Sequence, residues 1–181
     1  MTRYGVEPPD LPPGLALTPF SPESLGWRLR MGVAGGPAST AWPSANLALY
    51  VPFRLRRNAS FAAVRAMVGN GATASGNLDI GVYDENWNRL ASLGSTAQSG
   101  TAAPQLAALA LTLRRGRYYL GLSFDNNVGT VSAIGSITAG VLAALGCAQQ
   151  ASAFPLPATA APVACTQTII PAFGLSRIAS L

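Results

Sequence analysis

The run Asp84-Glu85-Asn86-Trp87-Asn88 packs side-chain oxygens more densely than most of this chain, and oxygen-rich loops are where hard cations bind. The spacing is not that of an EF-hand, because no Gly stands at the sixth loop position and no Glu at the twelfth. A solvated hairpin turn accounts for the same residues more simply. The remaining carboxylates are Glu7, Asp10, Glu23, Asp79 and Asp125, of which the first three sit in a proline-rich leader unsuited to preorganised chemistry. Glycoside hydrolysis needs two carboxyls flanking a bond in a cleft; the sequence leaves such a pair open, but solvation of a turn explains Asp84 and Glu85 more simply. The chain has no histidine, so it lacks the commonest general base and the commonest transition-metal ligand. The expectation is a protein that is not an enzyme and uses no metal or cofactor.

Cys147 and Cys165 are the only cysteines. Paired, they would close a long loop and add roughly 3 kcal/mol. Residues 1–14 are polar and proline-rich with no apolar signal core, so the thiols are expected to meet a reducing compartment and to remain free and buried.

These residues sit in a chain with an unusual charge distribution. Only 10% of it is charged, against about a quarter in ordinary soluble domains. From Asn126 to Ser176 there is no Asp, Glu, Lys or Arg. Charge keeps folded proteins apart, so such a surface is expected to be covered, by the rest of its own fold, by lipid or, as the preferred expectation, by neighbouring subunits. The basic residues are all arginines and are scattered, with no nucleic-acid-binding motif beside them, so no specific nucleic-acid partner is expected. Val131 to Ala148 is uncharged but interrupted by Ser132, Ser136, Thr138, Gly135, Gly140 and Gly146, which argues against a membrane span.

The elements that must position these groups are strands. Leu47, Leu49, Val51, Phe53 and Leu55 alternate with Ala48, Tyr50, Pro52 and Arg54, the period-two pattern of a half-buried strand. Pro52 places that strand at an edge or a bulge. Further strands are expected around Val64–Val68, Leu78–Val82, Arg89–Leu93, Leu109–Leu113 and Tyr118–Phe124, joined by short turns. Beyond Asn127 the pattern predicts a short strand at 131–134, a helical turn within 136–146 stopped by Gly146, and a last strand within 166–175. The fold class is therefore all-β, an antiparallel jelly-roll-like sandwich over residues 25–130. Residues 1–24 read as an extended arm, and residues 131–181 as an uncharged segment packing on the sandwich or on neighbours. Leu11, Leu15, Leu17 and Phe20 in the arm, with Phe154 and Leu156 in the uncharged segment, are the candidate assembly contacts. Trp42, Tyr50, Trp87 and Tyr119 fall on outward positions or in turns and are the candidate surface aromatics for a partner or glycan, alongside the simpler possibility that they bury against the arm or the uncharged segment.

Leu49-Tyr50-Val51-Pro52-Phe53, Asn77-Leu78-Asp79-Ile80-Gly81-Val82-Tyr83-Asp84 and Arg115-Gly116-Arg117-Tyr118-Tyr119-Leu120 resemble, in that order, strands of accessory virion proteins of tailed bacteriophages. Phe154-Pro155-Leu156-Pro157-Ala158-Thr159 resembles the segment before the final strand of such proteins. The resemblance covers residues 45–125 and extends loosely over the flanks. It implies a non-enzymatic sandwich on a virion, as a head decoration or a tail or fibre component. Expected partners are other copies of the chain, as a trimer, and other virion proteins, in a particle assembled in the host cytoplasm. The alternative is a carbohydrate- or receptor-binding module of a tail fibre, with a host-surface glycan as ligand.

Overall fold

The computed structural model describes residues 38–55, 59–135 and 137–177. Leu11, Leu15, Leu17 and Phe20 lie outside the described residues, as does the whole expected arm. In chain order the elements are β1 (Ala38–Ala41), β2 (Ala48–Leu55), β3 (Ala59–Gly69), β4 (Asn77–Tyr83), β5 (Arg89–Ser92), β6 (Thr96–Ala97), β7 (Pro104–Leu113), β8 (Gly116–Phe124), β9 (Thr130–Ile134), α1 (Ala139–Ala144), β10 (Ala148–Gln150), β11 (Val163–Ala164), β12 (Ile170–Pro171) and β13 (Phe173–Arg177). The protein is all-β and antiparallel.

The strand pairs are nested. β1 pairs with β9, β2 with β8, β3 with β7, and β4 with both β6 and β5. A seven-stranded sheet runs β11-β10-β2-β8-β4-β5, with β6 also on β4, and two three-stranded sheets run β1-β9-β12 and β13-β3-β7. The small sheets are stitched together where Gly69 N–H donates to the Ala172 carbonyl at 2.8 Å and Ala172 N–H to the Ser132 carbonyl at 2.7 Å. Asn70 also bridges Val131. They act as one layer facing the large sheet.

Alternation explains what fills the space between them. Leu49 and Val51 of β2, Leu78, Ile80 and Val82 of β4, and Leu120, Leu122 and Phe124 of β8 share one core with Leu109, Leu111 and Leu113 of β7, Val131, Ala133 and Phe173. Each Val, Leu, Ile or Phe among them, fully buried, contributes about 1.5–3 kcal/mol before chain entropy is charged against it. Pro52 is accommodated because β10 pairs only with Ala48, Leu49 and Tyr50, so β2 is an edge on that side at Pro52.

The uncharged run departs from its expected setting. Residues 131–181, expected to pack on the sandwich or on neighbours and to end in a strand, do end in a strand, β13; the 130/131 boundary falls at the start of β9, and the run feeds strands into all three sheets. Val131, Ala133, Ile137, Leu142, Cys147, Leu156, Ile170 and Phe173 are buried within the chain itself. Neighbouring subunits are not needed to hide them. The run keeps surface all the same, at Val128, Val141 and Val163 among others, and that surface carries no charge. α1 occupies the expected helical turn, capped at its start by the Thr138 side chain and ended at Gly146, whose φ is +83°. No helix among the described residues is long and apolar enough to cross a membrane.

Candidate functional site

The outer face of the large sheet is the second set of alternating positions: Ala48 and Tyr50 on β2, Tyr83 on β4, Tyr119 on β8 and Ala148 on β10. Period two dictates that these residues share a face opposite the main core. Their face is roofed by the chain between β10 and β11, where Ala153, Leu156 and Ala160 are buried against them.

That roof, residues 153–160, is held by polar contacts at both edges. Leu156 N–H donates to Asp79 Oδ2 at 2.9 Å, and the Leu156 carbonyl accepts from the Arg89 guanidinium. Tyr83 donates its hydroxyl to the Pro157 carbonyl at 2.7 Å. Arg89 N–H reaches the Ala158 carbonyl at 2.8 Å, and Ala160 N–H reaches the Trp87 carbonyl at 2.9 Å. The roof thus meets the start of β5 through the single Asn88–Thr159 bridge.

Asp79 is the fixed point. Its carboxylate is wholly buried and accepts the Ser92 hydroxyl at 2.8 and 2.9 Å as well as the Leu156 amide. Burial pushes its pKa up, against the lowering pull of the Ser92 hydroxyl, the Leu156 amide and the Arg89 guanidinium. Burial likewise raises the Tyr50 phenol to about 12 and the Tyr83 phenol further still. With its oxygens satisfied by the protein and closed to water, Asp79 braces the roof. Every buried side-chain nitrogen and oxygen among the described residues has a hydrogen-bond partner. Sequence reading gave Asp79 no role; its one signal was a carboxylate at an alternating position inside an apolar strand.

The β4–β5 turn positions Trp87. Asp84 Oδ1 accepts the N–H groups of Asn86 at 2.9 Å and Asn88 at 2.8 Å, an arrangement that folds the turn onto its own aspartate. Trp87 sits at φ +66°, and its ring lies flat on Tyr119, with centroids 3.9 Å apart and 23° between planes. It meets Tyr50 edge-on at 5.4 Å, and Tyr50 meets Tyr83 edge-on at 5.3 Å. On the same face Arg117 stands over the Tyr119 ring, 5.2 Å from its centroid.

Three of the four candidate surface aromatics are therefore not at the surface, and take the simpler of the two expectations, burial. Trp42, Tyr50 and Tyr119 are buried: Trp42 packs on Phe124 and donates its indole N–H to the Leu47 carbonyl at 3.0 Å, and the two tyrosines lie under the roof. Alternation assigned the two tyrosines to the side away from the main core, but it is silent on a second covering layer. Trp87 alone is half-buried. Leu156, expected to contact a neighbour, turns into its own sheet and is 1% exposed, while Phe154 beside it is half-buried. The structure brings Tyr50, Trp87, Tyr119 and Leu156 into one cluster and leaves Trp42 in the other core.

Cys147 and Cys165 are free and buried, one step beyond the Ala148–Ala164 pair of β10 and β11, with Cys165 N–H 3.3 Å from the Cys147 carbonyl. Burial, with the neighbouring Cys165, pushes the Cys147 thiol up to about 12, and burial raises Cys165 also. Both are held as neutral thiols. Among the described residues no three His, Cys, Asp or Glu side chains converge in a way that could hold a metal ion.

No family model, no curated protein and no solved structure matches this chain.

Proposed function

We propose that this chain is a structural subunit of a tailed-bacteriophage virion, a head decoration or a tail- or fibre-associated protein, and that its sandwich is a jelly roll. The observation that carries the reading is the nested strand pairing. One long antiparallel ribbon, β1·β9, β2·β8, β3·β7 and β4·β6/β5, rolled upon itself so that β8 meets β4 and β9 meets the end of β3, is how two Greek keys make a jelly roll. That architecture recurs in capsid and lectin domains. The order of strand motifs that resembles phage accessory proteins falls on β2, β4 and β8, the centre of the large sheet. Fold alone hosts many functions, so the role rests on assembly.

The surface best suited to assembly is β7. It ends its sheet, spans Pro104–Leu113 without a charged residue, and among the described strands has no partner on its outer side. Natural edge strands are usually guarded by charge or kept short. Leu106 on β7 is 46% exposed and Leu90 on β5 44%. The proposed partners are other copies of the chain and other virion proteins, and the proposed location is the particle.

Mass spectrometry of phage particles purified from the bacterium that carries this gene should find the chain in stoichiometric amount; its absence from the particles would end the virion reading. Light scattering of the purified chain should show a multimer that Leu106→Lys with Ala108→Lys dissociates without lowering the melting temperature. A strict monomer at high concentration would rule out self-assembly through β7.

A further inference from the structure

We propose that Arg54 and Arg117 form a binding site for an acidic polysaccharide, independent of the assembly reading. The two arginines are direct partners across the β2–β8 ladder. Both side chains are exposed, and by alternation both stand on the outer face, in line with Tyr50 and Tyr119. Like charges set directly opposite each other across an antiparallel pair cost stability. Among the described residues no carboxylate forms an ion pair with Arg54 or Arg117, and the Tyr119 ring meets only Arg117. An anionic group shared between the two guanidinium forks supplies the missing partner, and arginine's planar fork suits carboxylate and sulfate.

The surroundings hold this geometry. Arg117 is steadied over the Tyr119 ring at 5.2 Å. Gly146 lies close by: a Cβ there would stand 3.0 Å from Arg117 Nη2 and 3.5 Å from Pro52. Tyr119 in turn carries the half-buried ring of Trp87 on its face. Charge and aromatic rim therefore stand side by side, as a sugar ring bearing an acidic group requires. Asp84 and Glu85, in the turn next to Trp87, make no ion pair with these arginines. They bound the positive patch and disfavour a continuous phosphate backbone, while tolerating separated charges along a glycan. Specific duplex binding calls for a longer basic footprint than this one.

Titration calorimetry of the full chain at low salt with hyaluronate (carboxylate only), heparin (sulfate and carboxylate), dextran (uncharged) and a short DNA duplex tests the site. Hyaluronate, heparin or both are expected to bind, and dextran is not. Arg54→Gln with Arg117→Gln should weaken binding by about tenfold or more, each lost charge-assisted contact being worth roughly a factor of ten. Arg28→Gln with Arg30→Gln, which removes the same net charge from the segment before β1, should change it by less than about twofold. A melting temperature for the Arg54/Arg117 pair that is not lowered, and is raised if their repulsion is relieved, separates lost recognition from lost folding; if that pair does unfold, Arg54→Lys with Arg117→Lys, which keeps the charge but not the fork, should still weaken binding. Failure of both acidic polysaccharides to bind overturns the proposal, as do equal binding of dextran, a duplex bound as tightly as the glycans, or equal losses in both double variants. Each outcome is independent of whether the chain is found in particles.

Discussion

Asp79, in the middle of β4, accepts the backbone N–H of Leu156 at 2.9 Å, although the two lie 77 residues apart in sequence. Arg89 takes the carbonyl of the same residue, so both backbone groups of Leu156 are bound by side chains of the β4–β5 hairpin. The Leu156 side chain is thereby pressed into the tyrosine cluster beneath it. A chain segment with little regular structure is fixed as firmly as a strand because its amide, carbonyl and side chain are each satisfied at once.

Removing the carboxylate should be costly. Asp79→Ala leaves the Ser92 hydroxyl and the Leu156 amide without an acceptor in a buried place, an expected loss of about 2–6 kcal/mol at roughly 1–3 kcal/mol per orphaned group. Asp79→Asn keeps one acceptor oxygen and should lose less than half as much. Urea unfolding of both variants checks the order; equal losses would show that the carboxylate does not hold the roof.

The pH dependence has two opposed components. Burial raises the pKa of Asp79, so the folded state holds that proton more tightly than the unfolded chain does. The stability it adds is complete below the unfolded value of about 3.9 and is lost as pH rises through the raised pKa. Asp125 runs the other way: some burial pushes its pKa up, but the Asn77 amide, the Asn126 side chain and the Asn77 side chain outweigh it, and the net pKa is lowered. Its contribution is present above about 3.9 and is lost as pH falls through the lowered pKa. Urea midpoints measured across the acid range should therefore show Asp79→Asn abolishing a decline with rising pH, and Asp125→Asn abolishing a loss on acidification. Parallel curves for wild type and Asp79→Asn would contradict the first sign.

At Trp87 the ring and the backbone pull in opposite directions. Trp87→Ala removes the stack on Tyr119 and the edge contact with Tyr50, at an expected cost of about 2–4 kcal/mol for a half-buried ring. The φ of +66° strains any residue with a Cβ by roughly 1 kcal/mol. Trp87→Gly should accordingly be more stable than Trp87→Ala, the reverse of the usual ranking. Chemical denaturation of the pair decides it.

The thiols should be silent until the fold opens. With Cys147 raised to about 12 and Cys165 raised too, neither forms the reactive thiolate at mildly alkaline pH. A colorimetric thiol reagent should react with neither in the native protein and with both in guanidinium. Rapid native labelling of either cysteine would mean that the β10–β11 end opens readily.

Much of the layer plan is written in the period-two runs. Leu49 and Val51, Leu78 and Ile80, and Leu120 and Leu122 alternate with partners of another kind, and a pleated strand has no choice but to send the two sets to opposite faces. Gly146 ended the helix and Pro52 marked an edge for equally local reasons, the one a left-handed φ, the other a missing N–H. What stands over a face is not local. Tyr50 and Tyr119 have the same alternation whether water, a neighbour or their own residues 153–160 lie above them, and only the long-range return of that roof decided for burial. The same return joined Asp79 to Leu156, and pairing across β2 and β8 set Arg54 against Arg117. Periodicity fixes direction because it depends on successive residues of one strand; coverage and charge pairing depend on residues far apart in the chain, and those meet only when the layers close.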